Sequence, residues 1–258
     1  MPNTIIIEKQ DRGTTIWLNR PEAKNAFNPE MVGELIDACH ELTYDKETRL
    51  VILRGKRKQF CAGADIKWMK ASGAYSPEQN KAESMLISDL LQAILNIPHP
   101  TICLAEGGVM GGAMGILAVS DWVIADENCK FGFPEVHLGI APAVIWPYIL
   151  TKVPTNKALQ KAIIGKPFSA NEALIINMID SIHVSEEIED KLSTLSAEIM
   201  RAAPDGQIEI KRLSRELQQY PSEKVIKRTI ELLSKLKGSE NGQEGLNAFI
   251  EKRKPEWK

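Results

Sequence analysis

Histidine and cysteine are scarce in this chain, four of each in 258 residues. The cysteines, Cys39, Cys61, Cys103 and Cys129, are widely spaced and form no Cys-x-x-Cys pair. That spacing argues against a zinc site, gives a disulfide framework no support and fits a reducing cytoplasm. Charge of one sign is not in excess either. The 32 Lys and Arg stand against 34 Asp and Glu, whereas a nucleic-acid or anionic-membrane surface calls for a basic surplus. No apolar run approaches the roughly 20 residues that span a bilayer. The opening "MPNTIIIEKQDRG" has neither a basic leader nor a long apolar stretch, so the expected location is cytoplasmic. Two phosphate-binding signatures are missing as well. The glycines of "EGGVMGGAMGILAVSD" (Gly107, Gly108, Gly111, Gly112 and Gly115) are never two apart, and no Gly-Lys-Ser/Thr follows them. Neither a dinucleotide fingerprint nor a P-loop fits.

What is present is an ordinary globular composition, 43% hydrophobic and 26% charged, in a chain long enough to bury a sizeable core. "TIIIEK" and "TTIWLN" flank Asp11-Arg12-Gly13, which predicts a hairpin. "NPEMVGELIDACHEL" predicts a helix capped by Asn28, with Met31, Leu35, Cys39 and Leu42 on one stripe. A second helix begins at Ser76-Pro77 and carries Leu86, Leu90, Ile94 and Ile97. "LVILRG", "TICLA" and "DWVIAD" read as strands, and "SANE" at Ser169 to Glu172 as a capping box. Strands alternating with helices predict an α/β architecture. After about Pro142 the strand signals thin out, and from about Glu186 helix follows helix. The expected organisation is an α/β core over residues 1–198 and a helical C-terminal region over residues 199–258.

Three segments carry candidate chemistry. "TICLA" feeds the glycine-lined turn into a helix start, where free N–H groups and the helix dipole favour negative charge. Such a turn can hold an oxyanion, and it can equally be a tight helix–sheet crossing that needs glycine for packing. "QFCAGADIKWM", residues 59–69, is a small-residue loop able to expose another backbone donor. In "FGFPEVHLGIAP", Glu135 follows a proline in an apolar setting, where desolvation raises a carboxyl toward the range of a general acid/base. A surface glutamate is the alternative. Cys61 beside its glycine turn reads as a small buried side chain.

Together and in this order, "LNRPEAKNAFN", "FCAGADIKWM", "GGVMGGAMGILAVSD", "FGFPEVHLGIAP" and "EGLNAFIEKRK" resemble the crotonase superfamily, the enoyl-CoA hydratase/isomerase family, over essentially the whole chain. The resemblance implies a crotonase-like spiral of strand–strand–helix units with a helical C-terminal region. It implies an acyl-CoA thioester substrate whose oxygen is held by the backbone N–H groups of Ala64 and Gly112, with Gly111 beside them and Glu135 as acid/base. It places CoA contacts at Ala64, Asp65, Ile66 and Lys67. It also implies a homo-oligomer, trimer or hexamer, in which Phe249 and Lys252 reach a neighbour's CoA. No metal or redox cofactor is implied; CoA belongs to the substrate.

The chain departs from the two-glutamate hydratases, which carry a second carboxylate three residues after the oxyanion-hole glycine. Positions i and i+3 share a helix face, but that position here is Gly115. Glu106 precedes the turn and cannot simply replace it. With Glu135 alone the candidate reactions are hydration, positional isomerisation and decarboxylation, and a non-catalytic acyl-CoA-binding paralogue is the alternative of another class. The bulky "APAVIWPYIL" at residues 141–150, paired with the glycine segment, is similar to a bacterial methylglutaconyl-CoA hydratase-like branch, whose substrates are branched and carboxylated. His137 is a candidate to meet such a carboxylate, Trp68 and Trp146 to line the channel, and "RGKRK", residues 54–58, to attract phosphates. Each of these has a plain structural alternative. Met110 and Met114 are expected in the core.

Overall fold

Asp11 and Arg12 take left-handed backbone angles, φ 48° and 64°, as a two-residue turn between right-twisted strands requires. The turn joins β1 (Ile5–Gln10) to β2 (Gly13–Leu18) in antiparallel register, with Ile5 opposite Leu18. The computed structural model describes residues 4–72, 75–216, 240–251 and 253–256. After the hairpin, β3 (Leu50–Gly55), β4 (Thr101–Ala105), β5 (Gly108–Met110), β6 (Trp122–Asp126), β7 (Lys130–Gly132), β8 (Phe168–Ser169) and β9 (Ser181–His183) follow. They form two sheets, β1-β2-β3-β4-β6-β9 and β5-β7-β8. From β2 onward the larger sheet is parallel throughout. All five residues of β4 are buried, as expected of a parallel strand covered on both faces.

The helices begin where their caps say they should. Asn28 accepts a hydrogen bond from the Met31 N–H at 2.9 Å to start α1 (Pro29–Tyr44). After α2 (Ile66–Ser72), Ser76 and Gln79 form a reciprocal capping box at the start of α3 (Pro77–Leu95). Next come α4 (Gly112–Val119), α5 (Trp146–Lys152) and α6 (Thr155–Ile164), and the Ser169–Glu172 box opens α7 (Ala170–Ile175). Met31, Leu35, Leu53, Leu90, Ile94 and Met114 are fully or almost fully buried in one continuous core. Each such side chain contributes about 1.5–3 kcal/mol through its removal from water.

The chain repeats one path. A strand of the larger sheet runs into a short extended stretch beside the smaller sheet, and a helix returns over the outside. The short stretches are parallel to one another: Phe27 bridges Ala64, Cys61 bridges Val109, and β5 pairs with β7. This is the spiral of strand–strand–helix units, and it stacks the ends of successive turns side by side. β5 and β7 have three residues each, too few for an alternating pattern to be legible in sequence.

By packing, the chain divides into one unit of residues 1–97 and 101–192 and another of residues 98–100 and 193–258. The break falls inside α8 (Ile188–Met200). The first unit contains both sheets. In the second, α9 (Pro204–Glu216) is tied down by Lys211, which donates to the His99 carbonyl at 2.7 Å. There Asn241, in α10 (Glu240–Glu251), donates to Asp205 at 3.2 Å. Among the described residues no helix is long and apolar enough to cross a membrane.

Candidate active site

The loop that leaves β3 lies between an earlier and a later turn of the spiral. Phe27 N–H donates to the Gly63 carbonyl and Asp65 N–H to the Phe27 carbonyl, both at 2.8 Å, while Met110 N–H donates to Cys61 at 3.1 Å. The Ala64 N–H, between these pairs, has no partner among the described residues. Gly112 is the first residue of α4, so its N–H is one of the four that a helix start leaves unpaired. Ala64, Gly111 and Gly112 all line one cavity of about 290 Å³. Glycine is required at position 111 for two reasons. Its φ of 53° with ψ −125° is a backbone shape that side chains oppose, and a Cβ there would stand 3.2 Å from Glu135 Oε1.

Glu135 enters the same cavity from a short 3₁₀ turn, Pro134–Leu138, that follows the buried Phe133. Its Oε2 is buried and has no hydrogen-bond partner among the described residues. Burial pushes its carboxyl above the ordinary glutamate range, with its own backbone N–H pulling the other way. An unsatisfied buried polar atom costs about 1–3 kcal/mol. A half-buried carboxylate with one oxygen unpaired in a cleft is a candidate acid/base. The lining also includes Trp68 and Met69 of α2, Glu83 and Ile87 of α3, and Leu138, Ile140 and Ile145.

The Gly115 position is packed shut. A Cβ there would approach Ile145 Cγ2 and Leu91 Cδ1 to 2.9 Å. The space a carboxylate would take in that direction is already filled by hydrocarbon. Glu106 does not substitute for it. It is buried against Arg54 at 3.4 Å, with its carboxyl raised by burial, and it does not line the Glu135 cavity.

The other expected positions are distributed as follows. Asp65 is taken up by an ion pair with Arg20 at 2.8 Å and by the Lys67 N–H at 2.8 Å. The arginine holds its carboxyl below the usual range. Arg20 also donates to the Ala26 carbonyl at 2.5 Å, so "LNRPEAKNAF" and "AGAD" are joined by a charge pair that sequence reading missed. Opposite charges in the two motifs were the available signal. Lys67 is exposed, and the Ile66 side chain lies outside the described residues. The Phe249 side chain and all of Lys252 lie outside them too. His137 packs its ring against Gly165, where a Cβ would meet Nε2 at 2.9 Å, and does not line the cavity. Trp68 does line it, while Trp146 sits edge-on to Phe133 at 6.1 Å and faces a separate apolar cleft. Of the basic run, Arg54 stacks on Trp17 and pairs with Glu106 and Glu189, and Lys56 pairs with Glu8. Burial raises the Cys61 thiol to about 12, which removes it as a nucleophile at neutral pH. Met114 is in the core.

A family model described as enoyl-CoA hydratase/isomerase matches residues 8–258. A crotonyl-CoA hydratase of Syntrophomonas wolfei is 30% identical over 256 residues, 97% of this chain and 96% of that protein. A short-chain-enoyl-CoA hydratase of Clostridium acetobutylicum is 28% identical, covering 98% and 97%. Among solved structures, Pseudomonas aeruginosa AtuE superposes with a TM-score of 0.95 at 31% identity, covering 98% of each chain. An enoyl-CoA hydratase from Shewanella pealeana superposes with a TM-score of 0.93 at 30% identity, covering 98% and 96%.

Proposed function

The chain belongs to the enoyl-CoA hydratase/isomerase family, and on that premise we propose that it hydrates a branched enoyl-CoA thioester with Glu135 as its single acid/base. The observation that carries the reading is the desolvated Glu135, its Oε2 without a partner among the described residues, beside two backbone donors likewise unpaired there, in one cavity. The N–H groups of Ala64 and Gly112 hold the thioester oxygen and draw charge toward it. Glu135 takes a proton from a water as that water adds to the β-carbon, and the electron pair of the double bond moves to the thioester oxygen as an enolate. Glu135 then returns the proton to the α-carbon, so one water is consumed and the carboxylate is regenerated. Each oxyanion donor contributes on the order of 3 kcal/mol, about 10²–10³ in rate, and the carboxylate about 10²–10⁴.

Of the acyl groups to which the sequence points, branched and carboxylated, the lining favours one without a carboxylate. Its charged groups are the carboxylates of Glu83 and Glu135, and among the described residues no lysine, arginine or histidine lines it. A second reading, positional isomerisation, is favoured by the packed Gly115, since moving one proton between two carbons needs only one carboxylate. Decarboxylation and non-catalytic acyl-CoA binding are the outcomes that remain for the test below. The reading needs no metal or redox cofactor. Residues 64–67 are proposed to contact CoA, and Phe249 and Lys252 to do so from a neighbouring copy. The exposed Ile163 (66%) and Ile164 (55%) on α6 support assembly into a trimer or hexamer, and four buried thiols fit a cytoplasmic setting.

The test is mass-resolved product analysis with crotonyl-CoA, tiglyl-CoA and methylglutaconyl-CoA, run beside Glu135→Gln. Gain of one water, reduced about 10²–10⁴-fold in the variant with thioester affinity retained, is the expected result. A shifted double bond at unchanged mass moves the assignment to isomerase, and loss of carbon dioxide to decarboxylase. Turnover that survives Glu135→Gln refutes the role of that residue.

A further inference from the structure

Helix α3 turns an apolar face inward, with Leu90, Leu91 and Ile94 fully buried and Ile87 on the cavity wall. Glu83 lies one turn before Ile87 on that face, where the pattern calls for a hydrocarbon side chain. It is half-buried, lines the same cavity as Glu135, and accepts a hydrogen bond from the Trp68 indole N–H, which fixes its carboxylate in the wall. Trp68 therefore positions the acid, and its own ring completes the apolar surface around it.

We propose that Glu83 is a charge-selecting residue of the acyl pocket: it repels acyl groups that end in a carboxylate and so restricts the enzyme to uncharged enoyl chains. This rests on the acyl-CoA reading above and sharpens it. The cavity lining is mostly hydrocarbon, so an acyl carboxylate entering it meets the half-buried Glu83 in a setting where like charges repel more strongly than in bulk water. Glu135 adds to the same sign. A neutral chain meets no such penalty and gains from contact with Trp68, Ile87 and Ile145. If Glu83 served only to anchor Trp68, glutamine would do as well, because its carbonyl oxygen accepts the same bond.

The experiment uses a matched pair, crotonyl-CoA and glutaconyl-CoA, which differ by one terminal carboxylate. In the full chain the expected kcat/KM favours crotonyl-CoA by at least about tenfold. Glu83→Gln raises the glutaconyl-to-crotonyl ratio of kcat/KM about tenfold. Equal use of both thioesters by the wild type, or a ratio that Glu83→Gln leaves unchanged, overturns the proposal while the hydratase reading stands. Should neither thioester turn over, the hydratase reading is decided by tiglyl-CoA in the product analysis above. The calorimetric affinities of the two thioesters, wild type against Glu83→Gln, then test the role of Glu83 separately: a preference for crotonyl-CoA that the variant erases supports it, and equal affinities overturn it.

Discussion

Placing a carboxylate at Gly115 should fail alone and become possible only when Ile145 is cut back. The Cβ of any replacement begins 2.9 Å from Ile145 Cγ2 and Leu91 Cδ1. Leu91 can swing its terminal methyls aside. The Ile145 methyl sits on a β-branched carbon with little rotamer freedom. Overpacking of this kind costs about 1–3 kcal/mol. A carboxyl forced into hydrocarbon without a partner adds at least about 1 kcal/mol, and leaving glycine in a helix returns up to about 1 kcal/mol. The net loss for Gly115→Glu is on the order of 2–3 kcal/mol, a thermal midpoint about 5–10 °C lower. Ile145→Ala alone opens a cavity and costs about 2–5 kcal/mol. In the double variant the glutamate occupies the space vacated, so the two losses should fall short of additivity by about 1–3 kcal/mol. The assay is urea unfolding of the four proteins of the cycle, with crotonyl-CoA hydration measured on each. Full additivity, or a Gly115→Glu protein as stable as wild type, refutes the packing account. A stable double variant with no gain in hydration shows that a second carboxylate does not limit the reaction.

Two further predictions concern stability and pH. Because burial raises the Glu135 carboxyl in the folded state, the wild type loses stability relative to Glu135→Gln as pH rises above the unfolded value of about 4.3. Urea midpoints of the two should differ at pH 7, with the variant more stable, and converge below about pH 4; a wild type that is the more stable at pH 7 contradicts the desolvation argument. The Arg20–Asp65 pair acts with the opposite sign, since Asp65 is held below its usual range. Arg20→Leu should cost about 2–3 kcal/mol at pH 7, and that loss should shrink as pH falls below about 3.9, where Asp65 protonates in the unfolded chain. A loss independent of pH would assign the role of Arg20 to packing of its stem.

Much of this protein was legible without tertiary structure because the signals are local. Asn28, Ser76 and Ser169 act within one helical turn, and the Asp11-Arg12 turn acts within its own hairpin. Order and motif resemblance placed Ala64, Gly112 and Glu135 as site candidates, and the fold sets all three around one cavity. Only the tertiary structure decided what surrounds them. The parallel register of Phe27 with Ala64 and of Cys61 with Val109 stacks successive turns, and no single segment encodes which side chains then face each other. That register packs Leu91 and Ile145 over Gly115, directs His137 away to Gly165 and joins Arg20 to Asp65. It also sets Glu83 of one helix beneath Trp68 of another. Caps and periodicity depend on a few neighbouring residues. The polarity of an active-site wall depends on directions taken by side chains far apart in the chain, and those are settled only when the core closes.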